Sequence, residues 1–161
     1  QLMRDFGAIP SPHNSFLLNI GLETLHLRMK RHSENAQTLA EHLLSHPKIS
    51  WVRYPGLKGD SQYSLAQKYL PDGGCGVLSF GVKGGRQGAV TFMDSLKLAA
   101  IVTHVADSRT SVLHPASHTH QQLSEEELKA AGVPSDMIRF STGIESIEDI
   151  IADVDQALEK V

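Results

Sequence analysis

The sequence predicts an α+β domain, in which about four strands form a small sheet and helices pack against it. A long helical pattern begins the chain, and an amphipathic helical pattern ends it. Between them, short apolar runs are bounded by glycine and proline, which is typical of strands and turns. The 161 residues have the size of one domain and suffice to bury a hydrophobic core.

The N-terminal part of the chain predicts a linker followed by a helix. Residues 7–12 read Gly-Ala-Ile-Pro-Ser-Pro, and regular helix is excluded there because each proline restricts the residue before it. From Asn14, a candidate N-cap, apolar residues at helical spacing predict one long helix to about Ser45. Gly21 is a candidate bend, and Pro47 ends the helix.

The middle of the chain alternates strand-like and helix-like segments. Trp51–Tyr54 predicts a strand that ends at a Pro-Gly turn. A polar helix is expected at 61–70, a second strand at 76–82, and an apolar-patterned helix at 86–97. Ala99–Val105 predicts a third strand, buried within the sheet.

The C-terminal part carries the clearest boundary signals. Ser124 and Glu127 have the spacing of a capping box and open a short helix, which Gly132 stops. Met137–Ser141 predicts a strand whose odd and even residues face opposite sides. Ser146 opens the last helix, which has one apolar stripe, formed by Ile147, Ile150, Ile151, Val154, Ala157 and Leu158.

Composition disfavours several classes of function. The net charge is −3 and aromatic residues make up 6% of the chain, so a nucleic-acid surface is not expected. No apolar run approaches the roughly 18 residues that a membrane span needs. Cys75 is the only cysteine, which excludes an internal disulfide and favours a reducing cytoplasm.

Three histidines, His114, His118 and His120, lie close together in the sequence and raise the question of a metal site. Zinc sites draw three or four ligands at helical or hairpin spacing, often with cysteine. No cysteine is near and no HExxH pattern is present, so we predict no metal and expect these histidines to cap loops or line a polar cleft. Ser117 with His120 lacks the GxSxG frame of a nucleophilic serine.

Arg139 is the strongest candidate for a binding residue. It lies within a predicted strand between Ile138 and Phe140, where a guanidinium is costly unless an anion faces it. Its rigid donor fork suits a carboxylate. From the residues alone, the anion is either a ligand or an internal partner such as Glu145 or Asp107, and both alternatives remain open.

Several ordered motifs carry a family resemblance along nearly the whole chain. They are Gly21–Leu25 with Arg28-Met29, Asn35-Ala36, Tyr54–Leu57, Gly76–Phe80, His114–Ser117 with Thr119-His120, and Ile138–Glu145. With these motifs the chain resembles the C-terminal domain of the Cys/Met-metabolism pyridoxal-phosphate (PLP) enzymes. That family includes cystathionine γ-synthase, cystathionine lyases, methionine γ-lyase and O-acetylhomoserine sulfhydrylase.

The resemblance implies a fold and a domain organisation. The fold is the C-terminal domain of the fold-type I PLP-dependent transferase (aspartate aminotransferase-like) fold, a small mostly antiparallel sheet with helices packed on it. Residues 1–12 are then expected to be the linker from a missing N-terminal PLP-binding domain, and residues 13–161 the C-terminal substrate-binding domain. The complete protein is expected to be a cytoplasmic homo-oligomer.

The resemblance also implies a substrate site. Arg139 matches the arginine that holds the α-carboxylate of the amino-acid substrate, and a segment before the His114 motif completes the pocket. Where many γ-lyases have Ser-Leu-Gly-Asp, this chain has His104-Val105-Ala106-Asp107. His104 and Val105 are therefore expected at the carboxylate beside Arg139, although the replacement of serine leaves the role of His104 open.

The chain looks most like the O-acetylhomoserine sulfhydrylase branch of the family. That branch replaces the acetate of O-acetylhomoserine by sulfide or a thiol and gives homocysteine or methionine. Alternatives are a cystathionine γ-synthase or methionine γ-lyase domain and, in another class, a non-catalytic binding or assembly module. The lysine that carries PLP, in a Ser-x-Thr-Lys context, has no match here, so no catalytic or cofactor-binding residue is expected in this chain. The isolated chain is expected to be inactive.

Overall fold

Five strands form one sheet in the order β1-β2-β5-β4-β3 in the computed structural model, which describes residues 2–161 apart from the side chain of Met3. The strands are β1 (Ile49–Arg53), β2 (Val77–Val82), β3 (Ala100–Ile101), β4 (Ser111–Leu113) and β5 (Met137–Ser141). Neighbouring strands are antiparallel except β3 and β4, which are parallel. The predicted α+β class with a mostly antiparallel sheet is confirmed.

Helices precede, connect and follow these strands. They are α1 (Leu2–Phe6), α2 (Pro12–Glu23), α3 (Leu25–Leu44), α4 (Tyr63–Tyr69), α5 (Gly85–Ser95), α6 (Glu125–Ala130) and α7 (Ile147–Leu158), with a 3-10 turn at Pro115–Ser117. Within residues 2–161, none of them combines the length and the apolar character needed to cross a lipid bilayer.

The core lies between one face of the sheet and helices α3, α5 and α7. Phe80 of β2 and Phe140 of β5 are fully buried, and Phe80 meets Phe92 of α5 edge-on with ring centroids 5.7 Å apart. Ile138 shares this buried face with Phe140, as the alternation of β5 predicts. Arg139 therefore lies on the opposite face of the sheet, away from these three helices.

The predicted single helix from Asn14 to Ser45 is wrong, because the structure divides it into α2 and α3 at Thr24. The helix begins earlier than predicted, since Ser11 is the N-cap and its Oγ accepts a hydrogen bond from Asn14 N at 3.2 Å. Pro12 at the first helical position fits this start, because its missing N–H has no helical partner there. Gly21 lies inside α2 and does not divide the two helices.

The predicted strand at Ala99–Val105 is confirmed only over Ala100–Ile101, and its predicted burial is wrong. Only Ala100 and Ile101 pair, and the side chain of Ile101 is 43% exposed. The buried strand is instead β4, which is only three residues long and shows no recognisable period in the sequence. By contrast, the capping box at Ser124, the strand Met137–Ser141 and the last helix from Ile147 are confirmed.

Candidate functional site

Arg139 occupies the centre of the sheet and reaches the loop that follows β3. Its strand partners are Ser79 on β2 and Leu113 on β4. The guanidinium Nη2 donates a hydrogen bond to the carbonyl oxygen of Thr103 at 2.8 Å and approaches that of His104 at 3.5 Å. The Nε atom is buried and has no hydrogen-bond partner among the described residues. One side of the fork is thus fixed by backbone, and an unpaired buried donor remains, which favours binding of an anion.

Arg139 forms no internal ion pair with Glu145 or Asp107. Both carboxylate oxygens of Glu145 accept hydrogen bonds from Thr110, its N–H at 2.6 Å and its Oγ1 at 3.0 Å. Asp107 accepts from the backbone N–H of Arg109 at 3.0 Å, which is the main reason that the pKa of Asp107 lies below its usual value. Within residues 2–161, no carboxylate lies within 4.0 Å of the Arg139 guanidinium nitrogens.

The loop beside Arg139 adopts a backbone conformation that is unusual for its sequence. Ala106 has a φ of 59°, in the left-handed region that favours glycine. Its N–H donates to the Oγ of Ser141 at 3.1 Å, and Ser111 Oγ donates to His104 O at 2.9 Å. Arg139 and Ser141, two residues apart on one face of β5, therefore both hold this loop.

The side chains of His104 and Val105 face outward from the loop. The imidazole of His104 is 67% exposed and its Nδ1 lies 4.0 Å from Asp107 Oδ2. Val105 is 51% exposed. The structure therefore brings the backbone carbonyl of His104 to Arg139, while both predicted side chains are available to groups beyond this loop.

The histidine cluster forms loop-capping contacts. His114 is buried, and its Nε2 donates to the carbonyl oxygen of Ser135 at 2.8 Å, so its Nδ1 accepts from Ser117 Oγ at 2.8 Å. Burial lowers the pKa of His114. Ser117 Oγ also lies 3.1 Å from His118 Nδ1, whereas His120 Nδ1 lies 2.9 Å from the Oγ1 of the neighbouring Thr119. No group of three potential ligands in residues 2–161 is placed to hold a metal ion.

Sequence reasoning missed the contacts that shape the loop, although Glu145 was a candidate partner of Arg139. Thr103 contributes a backbone carbonyl, which no side-chain pattern reveals. The sequence does indicate that Ser141 lies near Arg139, because residues two apart in a strand share one face. Thr110 and Glu145 lie 35 residues apart and have no local signal.

The family model described as "Cys/Met metabolism PLP-dependent enzyme" matches residues 1–159. The chain belongs to this family. Homocysteine synthase of Schizosaccharomyces pombe is 51% identical over 99% of the chain, and O-acetyl-L-homoserine sulfhydrylase of Leptospira meyeri is 44% identical over 100% of it. The chain spans 37% of the length of each of these relatives.

A solved structure from the family has the same fold. It is the crystal structure of a protein from Campylobacter jejuni described as an O-acetylhomoserine (thiol)-lyase, with N′-pyridoxyl-lysine-5′-monophosphate. The TM-score is 0.88 at 42% identity, and the match covers 99% of this chain and 38% of that one. The likeness confirms that the fold is that of the C-terminal domain of a fold-type I PLP-dependent enzyme.

The family depends on pyridoxal phosphate, which its members can hold through a lysine. A lysine that forms a Schiff base is typically desolvated by a surrounding pocket. In the part of the chain that the structure describes, the lysines are exposed except Lys48, whose half-buried Nζ donates to Val161 O at 3.1 Å. These lysines do not fit a covalent cofactor anchor, whereas the surroundings of Arg139 fit a carboxylate.

Proposed function

We propose that this chain is the C-terminal, substrate-binding part of an O-acetylhomoserine sulfhydrylase. Residues 1–12 are the linker from an N-terminal cofactor-binding domain, and residues 13–161 are the substrate-binding domain. The names of the relatives from Schizosaccharomyces pombe and Leptospira meyeri support this branch. The observation that carries the proposal is the guanidinium of Arg139, held by Thr103 O with its buried Nε unpaired.

The proposed reaction replaces acetate by sulfide or a thiol. The γ-carbon–oxygen bond of O-acetylhomoserine breaks, a carbon–sulfur bond forms, and acetate and the proton of the sulfur nucleophile are released. The product is homocysteine or methionine. When bound, pyridoxal phosphate supplies the electron sink for this chemistry.

Arg139 binds the α-carboxylate of the substrate and orients its Cα–H. The fixed Nη2 limits rotation of the guanidinium, so little conformational entropy is lost when the carboxylate binds. Such orientation favours the later proton transfer by proximity. The outward-facing side chains of His104 and Val105 complete the carboxylate pocket beside it.

The groups that hold the cofactor lie in the N-terminal domain in this proposal. We assign no catalytic, cofactor-binding or metal-binding residue within the chain, and the isolated chain is expected to be inactive. The complete enzyme is proposed to be cytoplasmic and homo-oligomeric. Helix α2 is a candidate contact surface for this assembly, because none of its residues is buried within this chain and several of them are apolar.

Substitution of Arg139 in the complete enzyme tests the proposal. Arg139→Ala removes two charge-assisted hydrogen bonds to the carboxylate, and KM for O-acetylhomoserine is expected to rise about 100-fold. Arg53→Ala is the matched control, because Arg53 is an exposed strand arginine paired with Asp60. An unchanged kcat/KM in Arg139→Ala would show that Arg139 does not bind the substrate.

Two further assays separate the alternatives. Turnover with sulfide, with cysteine and with methionine distinguishes a sulfhydrylase from a cystathionine γ-synthase and from a methionine γ-lyase. A non-catalytic module predicts no turnover by the complete protein. Visible absorbance and turnover by the isolated chain after addition of pyridoxal phosphate would contradict our assignment of the cofactor groups to the other domain.

A further inference from the structure

Glu145 joins the turn after β5 to the end of the loop beside Arg139. Its Oε1 accepts the Thr110 N–H at 2.6 Å, and its Oε2 accepts the Thr110 hydroxyl at 3.0 Å. That hydroxyl oxygen in turn accepts the N–H of Gly143 at 2.9 Å. Thr110 is 1% exposed and Glu145 is half-buried, so these bonds are partly shielded from water, which strengthens them.

The backbones of the two segments are also in direct contact. Ile144 N donates to Ser108 O at 2.9 Å. A Cβ added at Gly143 would lie only 2.5 Å from both Ser108 O and Thr110 N, which is closer than a Cβ atom approaches nonbonded atoms. The absence of a side chain at Gly143 therefore allows the turn and the loop end to meet.

Helix α3 holds the other side of the same turn. Asn35 Nδ2 donates to the carbonyl oxygens of Gly143 and Glu145, each at 3.0 Å. His32 Nδ1 donates to Thr142 O at 2.6 Å, since a carbonyl oxygen can only accept. Both side chains are almost fully buried, so the turn is a rigid support.

The loop that ends at this support begins beside Arg139. Thr103 and His104 provide the carbonyls that fix the guanidinium, and Thr110, seven residues after Thr103, is bound by Glu145. We propose that Glu145 is a positioning residue for the amino-acid substrate: by fixing Thr110, it holds the loop whose carbonyls orient Arg139. This inference rests on the carboxylate role of Arg139 proposed above.

Glu145→Gln in the complete enzyme tests the inference. The substitution preserves shape but removes the charge and leaves the Thr110 hydroxyl proton without a strong acceptor. KM for O-acetylhomoserine is expected to rise about tenfold, with kcat changed less than about twofold. Hydrogen–deuterium exchange of backbone amides in residues 103–111 is expected to become faster, independently of turnover.

Glu127→Gln is a matched control for the loss of carboxylate hydrogen bonds. Glu127 Oε2 likewise accepts from a backbone N–H and a hydroxyl of one residue, Ser124, both at 2.8 Å, but in the capping box of α6. Its substitution is expected to loosen α6 while KM and the exchange of residues 103–111 stay unchanged.

Substitutions at Thr110 provide a second route if Glu145→Gln folds poorly. Thr110→Ser keeps the hydroxyl and is expected to behave like the unsubstituted enzyme. Thr110→Val removes the hydroxyl and is expected to reproduce the rise in KM and the faster exchange.

The outcomes separate this inference from the proposed function. A rise in KM for Arg139→Ala but none for Glu145→Gln and Thr110→Val would overturn the positioning role alone. Equal effects of Glu145→Gln and Glu127→Gln on KM would overturn it as well, by showing a general loss of stability. No effect of Arg139→Ala on KM would refute the carboxylate site, and the positioning role with it, even if loop exchange became faster.

Discussion

The hydroxyl oxygen of Ser141 accepts the backbone N–H of Ala106 at 3.1 Å and holds that alanine in the left-handed conformation. Ser141 is 2% exposed whereas Ala106 lies in an exposed loop, so the contact ties the loop to the buried end of β5. A left-handed alanine costs roughly 1–2 kcal/mol relative to glycine in backbone strain. The strain lies in the loop that orients Arg139, where distortions of this kind are often tolerated for function.

Ala106→Gly is expected to stabilise the protein. The relief of strain exceeds the extra entropy that glycine loses on folding, so the free energy of unfolding rises by about 0.5–1 kcal/mol. Denaturant titration measures this change in the free energy of unfolding. Ala130→Gly, in the exposed last turn of α6, is the control and is expected to destabilise because its backbone is helical. Destabilisation by Ala106→Gly would show that the left-handed backbone is not strained.

Asp153 is expected to stabilise the folded protein by binding the backbone that leads into β3. Its carboxylate accepts the N–H groups of Lys97, Leu98 and Ala99 at 2.8, 3.0 and 3.0 Å, and it is 7% exposed. Asp153→Asn turns an amide donor toward these donors and is expected to lower the free energy of unfolding by about 2–3 kcal/mol. Thermal and urea unfolding measure this loss.

Asp149→Asn is the control for Asp153→Asn, because Asp149 is exposed in the first turn of α7. It loses a charge near a helix N-terminus, where the effect on stability is small. Similar losses in the two variants would contradict the role assigned to the three backbone contacts of Asp153.

Stability is expected to fall as pH drops below about 6.5, the usual pKa of histidine. Burial lowers the folded-state pKa of His114 and also that of His46. Because the unfolded chain protonates first, it binds more protons than the folded chain between the two pKa values. The stabilisation is therefore complete above the unfolded pKa and is lost as pH falls toward the folded pKa.

His114→Gln tests the contribution of His114 to this pH dependence. The free energy of unfolding, measured from pH 8 to about pH 5, is expected to fall less steeply in the variant than in the unsubstituted protein. Asn19→Gln, on the exposed surface of α2, removes no titratable group and is the control that is expected to leave the slope unchanged. A slope that does not change in His114→Gln would contradict the inferred shift.

The parts of the fold that the sequence predicts are those with local causes. The alternation of Ile138 and Phe140 identifies β5, and the Ser124–Glu127 spacing identifies the start of α6. The pairing of Glu145 with Thr110 could not be predicted, because the sheet order brings these distant segments together. The early end of β3 also has a long-range cause, since the distant Arg139 binds the backbone carbonyls of Thr103 and His104 in the loop that follows the strand.

Helix α2 is expected to make the isolated 161-residue chain self-associate. Leu17, Leu18 and Leu22 are 53%, 62% and 61% exposed, and no residue of the helix is buried in this chain. Contiguous exposed leucines drive association because their burial removes apolar surface from water. Light scattering with size-exclusion chromatography is expected to show concentration-dependent oligomers, which the double substitution Leu18→Glu/Leu22→Glu reduces. Leu65→Glu, a half-exposed leucine on α4, is the control. Equal reduction by both variants would show that the association does not depend on α2.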